Sequence, residues 1–456
     1  MSSHYTPMEQ VDAEPPYAGV EPAWAKPRRT RRRFRFLAIF LVVGCALGTL
    51  MIHRSTSGSA LKTHNRPHTP TAAPSVLPPD VIVRDCGEWG PKNSSWWNSA
   101  ASLSFGFPLN TNDLFFLTEG AAINGVFNVF AVPESDEHEL GNGYLEFSIS
   151  SRYESFIDQT QICHATRPNG DGIAIKVGYP PSWFDNTQIG ITLRIPVSEK
   201  VIKFNNFETD LPYIRQVLYT PSSITFGSLK LRGQGQDVDA GLVIADSVDL
   251  RTSDAMVGGV FHATGPISLF TTNGMVSGQF NSSTSVSLIT SNAPISAKVH
   301  LANDESTGKD TELIMQTTNG PINGNVTLTS LADNGLGGWF DVSAVTSNGA
   351  SNLNFPSISP RAKLDLISHT TSNSANVELA STYEGDWTID TTSGSKAEFR
   401  TLNSQDPENR GRKRVGMGTG SKSDGHGRVW WDEDGQDNGK GTVEVKTTYG
   451  SVTLVM

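Results

Sequence analysis

The chain has 456 residues, of which 37% are hydrophobic and only 18% are charged, and its formal net charge is -10. A chain of this length can hold more than one domain, and a negative net charge that is spread widely along the chain is not typical of a nucleic-acid-binding protein. Its 43 glycines, with many Ser, Thr and Asn residues, leave little material for helices and favour an all-β fold.

The first 80 residues predict a tail, a membrane span and a stalk. Residues 1–33 show no hydrophobic periodicity and are predicted to form a disordered cytosolic tail. Residues 34–53 contain an apolar run that is just long enough to cross a bilayer, and the arginines clustered at its start predict a cytosolic N-terminus. Residues 54–80 are rich in Ser, Thr and Pro, which is typical of an extended stalk.

This pattern predicts an uncleaved signal anchor. We therefore expect a single-pass membrane protein whose C-terminal domain is extracellular or lies in the secretory lumen. A cleaved signal peptide is the alternative, although the leader of such a peptide is ordinarily shorter than the polar segment found here.

Residues 81–235 contain strand-like segments without an obvious repeat. They predict either a separate β-sandwich-like domain or an irregular cap on the repeats that follow, and we favour one continuous β unit, because a terminal repeat needs a cap. Cys86 and Cys163 are the two cysteines on the predicted outer side. An oxidising compartment favours a disulfide between them, and two unpaired buried thiols are the alternative.

Residues 236–456 carry a short phrase, Thr-Thr-Asn-Gly or a close variant, that returns at intervals of about 19 to 29 residues, as in a repeat architecture. Its copies begin at Thr271, Thr290, Thr317, Thr346, Thr371, Thr391 and Thr447. Short apolar runs precede the phrase and alternating residues follow it, which predicts a strand, a tight corner and a second strand. The Asn-Gly pair is expected to adopt positive φ at the corner. The apolar residues that follow Thr371 and Thr391 lie one position later than those that follow the other copies, which predicts a bulge in each of these two repeats.

The strand that ends at Pro196, the serial Thr-Thr-Asn-Gly units and the closing repeat at Thr447 resemble the adhesin repeat domains of bacteria. They are more similar still to the related uncharacterised domain of single-span fungal proteins. The resemblance implies a β-solenoid at the cell surface and brings no catalytic residue with it. The predicted fold class is therefore all-β: a β-solenoid or β-helix-like ectodomain with an irregular N-terminal β cap, preceded by one transmembrane helix.

Three sequons on the predicted outer side are candidate N-glycosylation sites, and they begin at Asn93, Asn281 and Asn325. Asn281 is expected at the far turn of a repeat, and Asn325 on the solvent face of its strand.

A predicted flexible insert, residues 403–441, separates the last two copies of the phrase. It contains the dibasic pair Lys413 and Arg414, which a furin-like or Kex2-like protease would cut in a loop, whereas a basic loop that pairs with the following acidic run is the alternative. The acidic run, residues 432–437, has the oxygen density for calcium but not the spacing of an EF-hand loop.

We expect a non-catalytic surface protein with a binding, adhesive or structural role and with no cofactor or metal. Its expected partners are the membrane and cell-wall glycans or surface proteins, not nucleic acid. The alternative is a polysaccharide-acting β-helix lyase or hydrolase, which needs carboxylates that converge across neighbouring repeats. The acids of the repeats are expected to occupy different positions relative to their corners, and they are Asp249, Asp254, Asp341, Asp365 and Asp390.

Overall fold

The computed structural model describes residues 75–95, 98–109, 111–134, 142–179, 187–198, 200–402, 404–432 and 441–456. The predicted cytosolic tail, the predicted span at residues 34–53 and most of the predicted stalk lie outside these residues. Within them, no helix is long and apolar enough to cross a membrane. The described part is all-β, with one short helix, α1 (Glu154–Gln159), and one 3-10 turn (Glu305–Thr307).

The described residues form thirty strands that belong to one hydrogen-bonded network. The first thirteen are β1 (Ile82–Gly87), β2 (Asn93–Ser94), β3 (Ser99–Pro108), β4 (Asp113–Gly120), β5 (Asn124–Pro133), β6 (Asn142–Ser151), β7 (Gln161–Arg167), β8 (Gly170–Val177), β9 (Gln188–Val197), β10 (Ile202–Asp210), β11 (Ile214–Tyr219), β12 (Ile224–Arg232) and β13 (Val238–Arg251). The next eleven are β14 (Val257–Ala263), β15 (Ile267–Phe270), β16 (Val276–Ser282), β17 (Ser285–Ile289), β18 (Ile295–Asn303), β19 (Thr311–Gln316), β20 (Ile322–Ser330), β21 (Trp339–Val345), β22 (Ser351–Ile358), β23 (Lys363–Thr370) and β24 (Ala375–Leu379). The last six are β25 (Gly385–Thr391), β26 (Ala397–Arg400), β27 (Arg414–Gly420), β28 (Asp424–Trp431), β29 (Gly441–Thr447) and β30 (Val452–Val455).

The network has two halves that the long strand β13 joins. The first part of β13 pairs with β11 and β14, and its second part pairs with β12 and β15. We call the half that contains β12 and β15 sheet 1, and the half that contains β11 and β14 sheet 2. Sheet 1 continues in parallel through β17, β19, β21 and β23, and sheet 2 through β16, β18, β20, β22 and β24. Each pair of consecutive strands is therefore one rung of a β-solenoid.

The core lies between the two sheets and follows from the period-two alternation of each strand. Val276 and Phe280 of β16 are buried, whereas Gln279 is exposed, and successive rungs place like residues above one another. Phe261 and Phe280 stack at 5.6 Å between ring centroids. Burial of each such side chain contributes about 1.5–3 kcal/mol, so the core is the main source of stability.

The rungs begin well before residue 235. β4 and β5 pair in parallel with β8 and β9 on one side and with β10 and β11 on the other. The irregular cap is confined to antiparallel strands, β7 and β1 on sheet 1 and β6, β3 and β2 on sheet 2. Sequence repeats did not reveal the early rungs, because their corners differ. Tyr213, between β10 and β11, has φ 62. Ser75, inside the predicted stalk, already forms a bridge to Gly120.

Both ends of the stack depart from sequence order. At the C-terminal end, β29 lies between β23 and β25, and β30 lies between β24 and β26. The hairpin of β27 and β28 then pairs antiparallel with β25. Within the predicted flexible insert, residues 414–420 and 424–431 form these two strands, and Gly418, Gly425 and Gly427 lie against the ring of Trp387.

The corner glycines are needed for close packing between rungs rather than for positive φ. A Cβ atom on Gly320 would lie 2.0 Å from the carbonyl oxygen of Ala293, and one on Gly349 would lie 1.9 Å from that of Gly320. Neither glycine has positive φ. The expected reason for Asn-Gly was thus wrong at these corners.

The register corrects one of the two predicted bulges. Val345 pairs with His369, so the residue equivalent to Thr346 is Thr370 rather than Thr371, and no bulge is needed there. The corner at Thr391 does hold an extra residue, because Ala397 pairs with Val452 although it lies one position further from its corner.

Several corners of the repeats begin with a buried threonine that links neighbouring rungs. The Oγ1 atom of Thr317 donates to the carbonyl of Ala293 at 3.1 Å and accepts the N–H of Gly320 at 3.2 Å. The corresponding bond to the preceding corner is 3.0 Å for Thr346, 2.8 Å for Thr370 and 2.8 Å for Thr447. The hydroxyl therefore satisfies polar groups of two corners at once.

We expect Thr317→Val to destabilise the protein by about 1–3 kcal/mol, because the isosteric side chain leaves a buried carbonyl and N–H without partners. Thr317→Ser keeps the hydroxyl and should lose much less. Urea unfolding followed by circular dichroism measures both midpoints. Equal midpoints for the two variants would show that the inter-rung bond contributes nothing.

Candidate functional site

A polar groove lies on the outer face of sheet 2. It spans β16, β18, β20, β22, β24 and β30 and has a volume of about 620 Å³. Register aligns its outward side chains in two rows. The first row contains Ser277, Ser296, Asn323, Asn352, Asn376 and Thr453. The second row contains Gln279, Lys298, Asn325, Asn354 and Glu378.

The asparagines of the first row form a ladder of side-chain hydrogen bonds. The amide of Asn352 donates to Asn323 at 3.0 Å, and the amide of Asn376 donates to Asn352 at 2.8 Å. A primary amide has two N–H donors and an oxygen with two lone pairs, so each ladder bond leaves further donors and acceptors on the groove surface. The ladder fixes the orientation of the amides while it keeps their capacity to bind a hydroxyl-rich ligand.

The charges of the groove are few and separated. Lys298 lies on β18 and Glu378 on β24, three strand spacings apart, or about 14 Å. Neither forms an ion pair within the described residues. Such a groove suits a neutral polar ligand better than a polyanion.

A second amide ladder follows the corners beside the groove. Asn292 donates to Asn273 at 2.6 Å, Asn319 to Asn292 at 2.5 Å, and Asn348 to Asn319 at 2.7 Å. Asp254 ends this ladder. Hydrogen bonds from Ser253 and then from Asn273 lower the pKa of its carboxyl. The ladder stabilises the ridge that borders the groove.

The three sequons lie at different places on the surface. Asn325 is exposed in the centre of the groove, in the second row between Lys298 and Asn354. Asn281 is half-buried on β16, and Asn93 is exposed on β2. An N-glycan on Asn325 would fill the groove.

Cys86 and Cys163 form a disulfide in the structure and face each other on the antiparallel strands β1 and β7. The bond joins the outermost strand of sheet 1 to its neighbour within the N-terminal cap.

Arg414 is the first residue of β27 and Lys413 directly precedes it, beside a buried ionic cluster. The fully buried guanidinium of Arg412 donates to Asp406 at 2.8 Å and to Glu408 at 2.9 Å, and holds the pKa of Asp406 well below its usual range. The guanidinium of Arg414 donates to the carbonyls of Ser381 and Tyr383. Cleavage after Arg414 stays a prediction, and a protease would first have to detach this strand.

Sheet 1 carries a line of carboxylates that the sequence did not reveal. Glu312 pairs in register with Asp341, and Asp341 with Asp365, on three adjacent parallel strands. The expectation that the acids of the repeats differ in position is therefore wrong for Asp341 and Asp365. Asp365 accepts hydrogen bonds from the N–H and hydroxyl of Thr442 at 3.0 Å and forms an ion pair with Lys363 at 3.2 Å.

Among the residues that the structure describes, no group of three or more His, Cys, Asp or Glu side chains could hold a metal ion. Asp432 begins the predicted calcium run, and the rest of that run lies outside the described residues.

Comparison with known proteins leaves the family of this chain open. No protein-family profile and no curated protein matches it. A solved structure from Clostridium sporogenes, described as a "putative cell adhesion protein", aligns with 78% of this chain and 99% of its own, at 7% identity and a TM-score of 0.16. At that TM-score the likeness carries no conclusion about function.

The groove residues share a sequence signal, which is a constant distance from the corner glycine. Asn323 and Asn352 each lie three positions after their corner glycines, Gly320 and Gly349, and Ser277 has the same offset from Gly274. A constant offset from a corner places residues in one row, provided that each corner is assigned correctly. Because the corner was predicted to begin at Thr371 rather than Thr370, the offset did not place Asn376 in the same row.

Glu444, on the outer face of sheet 1, gives a pH-dependent prediction. Hydrogen bonds from His369 and then Lys446 lower the pKa of its carboxyl from 4.5 to about 2. A depressed folded-state pKa stabilises the protein above the unfolded-state value, and this stabilisation is lost as the pH falls through the folded-state value.

We therefore expect the melting temperature of the wild type to fall more steeply than that of Glu444→Gln between about pH 5 and pH 2. Glu378→Gln removes a carboxylate without an ion pair in the described region and should follow the wild type. Scanning calorimetry at several pH values measures the difference, and parallel curves for wild type and Glu444→Gln would contradict the assignment.

Proposed function

We propose that this protein is a non-catalytic, membrane-anchored surface protein whose groove on sheet 2 binds an extended, hydroxyl-rich polymer of the cell-wall glycan class. The observation that carries the proposal is the alignment of outward amides over successive rungs, with Asn323, Asn352 and Asn376 held in a ladder. Neighbouring strands are about 4.7–4.9 Å apart, so the first row presents six polar groups along roughly 24 Å.

Several weak contacts along one groove suit a polymer. A single amide-to-hydroxyl hydrogen bond contributes only about 0.5–1.5 kcal/mol, so one sugar would be held poorly, whereas a chain that engages many rungs binds through their sum. The groove offers few charges, and the chain as a whole has 46 acidic and 36 basic residues, which disfavours polyanionic ligands.

The alternative, a polysaccharide-acting enzyme, has one observation in its favour. Glu312, Asp341 and Asp365 are in register on neighbouring strands, as acid and base groups of such an enzyme would have to be. However, Asp365 is engaged by Thr442 and Lys363, and none of the three carboxylates lines the groove. Catalysis on a bound chain requires the carboxylates and the ligand to meet in one place, so we favour binding without cleavage.

We expect the triple variant Asn323→Ala, Asn352→Ala, Asn376→Ala to bind insoluble cell-wall polysaccharide at least about tenfold more weakly, because three hydrogen-bonding groups of the groove are lost. A matched control replaces outward residues of sheet 1, Ser268→Ala, Ser287→Ala and Ser343→Ala, and should bind like the wild type. Co-sedimentation with the polysaccharide measures the affinity.

The assay should use both glycosylated protein and the Asn325→Gln variant, because a glycan on Asn325 would occupy the groove. Failure of both forms to bind would contradict the proposal. Release of reducing sugars that disappears in Glu312→Gln would favour the enzyme instead.

The proposed membrane anchor has its own test. With a tag at the C-terminus, intact cells that express the full chain should bind antibody without permeabilisation, and a tag at the N-terminus should require it. A glycosidase that removes N-glycans should also increase the mobility of the chain on a gel. Exposure of the N-terminal tag would contradict the predicted orientation.

A further inference from the structure

The outer edge of β27 is an unprotected sheet edge. Within the described residues, the other ends of the two sheets are blunted. β1 has a register shift between Val83 and Cys86, and β2 and β26 have only two and four residues. By contrast β27 has seven residues, contains no proline, and pairs with β28 without a register shift. Proteins usually protect such an edge, because it can accept another strand.

The direction of the free backbone groups follows from the hairpin. The N–H of Ser421 donates to the carbonyl of Asp424 at 2.8 Å, and the N–H of Asp432 donates to that of Lys413 at 3.0 Å. In an antiparallel pair, hydrogen-bonded and non-hydrogen-bonded positions alternate, so the odd-numbered residues of β27 bond to β28. The even-numbered residues direct their N–H and C=O groups outward. Gly416, Gly418 and Gly420 are three of them, and all three are exposed.

We propose that two copies of this chain pair through β27, antiparallel and with Met417 of one copy opposite Met417 of the other. In this register Gly416 lies opposite Gly418, and Arg414 lies opposite Gly420. The outward-directed residues then face one another and can exchange hydrogen bonds, whereas the inward-directed residues, Met417 included, face one another at non-hydrogen-bonded positions. A register one residue away would place outward groups opposite inward ones. The edge is thus complementary to itself.

Side chains on the outer face of the hairpin agree with this pairing. Met417 is 57% exposed, and at the two-fold axis it would contact its equivalent. The second copy can also approach closely at Gly416, because a Cβ atom on this glycine would meet no atom within 4 Å.

Charge complementarity also favours a second copy over another partner. In the proposed register Lys413 lies opposite Ser421 of the other copy. The hydroxyl of Ser421 donates to the carboxylate of Asp424, which places that carboxylate beside the same end of the edge. Lys413 is exposed and forms no ion pair with any described residue, so its ammonium is available for Asp424 of the other copy. A contact of this kind uses the same patch on both copies and closes as a dimer rather than growing as a fibre.

Cysteine cross-linking of the full chain in membranes tests the pairing. Met417 would occupy a non-hydrogen-bonded position on the axis, where facing Cα atoms are about 4.5 Å apart. Met417→Cys should therefore form a disulfide-linked dimer under mild oxidation. Thr419→Cys is the matched control, since its equivalents would lie four residues out of register, about 13 Å apart. The native cysteines contribute the same background to both variants.

A second pair of variants, made in the Met417→Cys background, separates edge pairing from chance collision. Gly416→Pro removes an outward N–H without touching the bonds to β28, and should reduce the dimer several-fold, whereas Gly416→Ala should not. Equal cross-linking of Met417→Cys and Thr419→Cys would overturn the proposal. It would also be overturned by dimers that survive Gly416→Pro, or by an adduct whose mass shows another protein.

Discussion

The hydrogen bond that links the buried threonine of one corner to the preceding corner is the constraint on which the surface features of this protein depend. Thr317 and Thr346 each satisfy a carbonyl of the rung below and an N–H of their own corner, in a buried position where neither group could bind water. The bond fixes the register of one rung on the next. Because the register is constant, a residue at a given offset from one corner lies over the same offset of its neighbour, which aligns the amides of the groove and the carboxylates of sheet 1.

A stack of similar rungs needs an end that does not accept a further rung. At both ends of this stack, the outermost rung is not the one that is first or last in the sequence. The outermost rung at the N-terminal end is β8 with β9, although β4 with β5 precedes it in sequence. The outermost rung at the C-terminal end is β25 with β26, and the later β29 and β30 lie inside it. Antiparallel strands then cover both sheets at the N-terminal end and sheet 1 at the C-terminal end, whereas sheet 2 ends at the four-residue strand β26.

Local sequence predicted the interior of the stack well, because there the pattern and the structure share one cause. The phrase at Thr317 predicted the corner, and the alternation of Ile322 and Val326 predicted the strand that follows. The order of the strands within the sheets could not be predicted, since no residue near β29 indicates that this strand pairs with β23 and β25. The predicted register was wrong at one corner, because the sequence allows that corner to begin at either Thr370 or Thr371. Glu312 and Asp341 each lie five positions before a corner threonine, Thr317 and Thr346, so their alignment could have been predicted from these offsets.

The same alternation that builds the groove also decides what can occupy it. Asn325 begins a sequon, and its strand directs it outward, into the second row beside Lys298 and Asn354. An N-glycan attached there and a glycan bound from outside would compete for one surface, because both would occupy the same groove. Since the strand cannot turn Asn325 inward without moving Val326 out of the core, the competition is built into the fold. A glycan on Asn325 would therefore cover the groove that the proposed ligand needs.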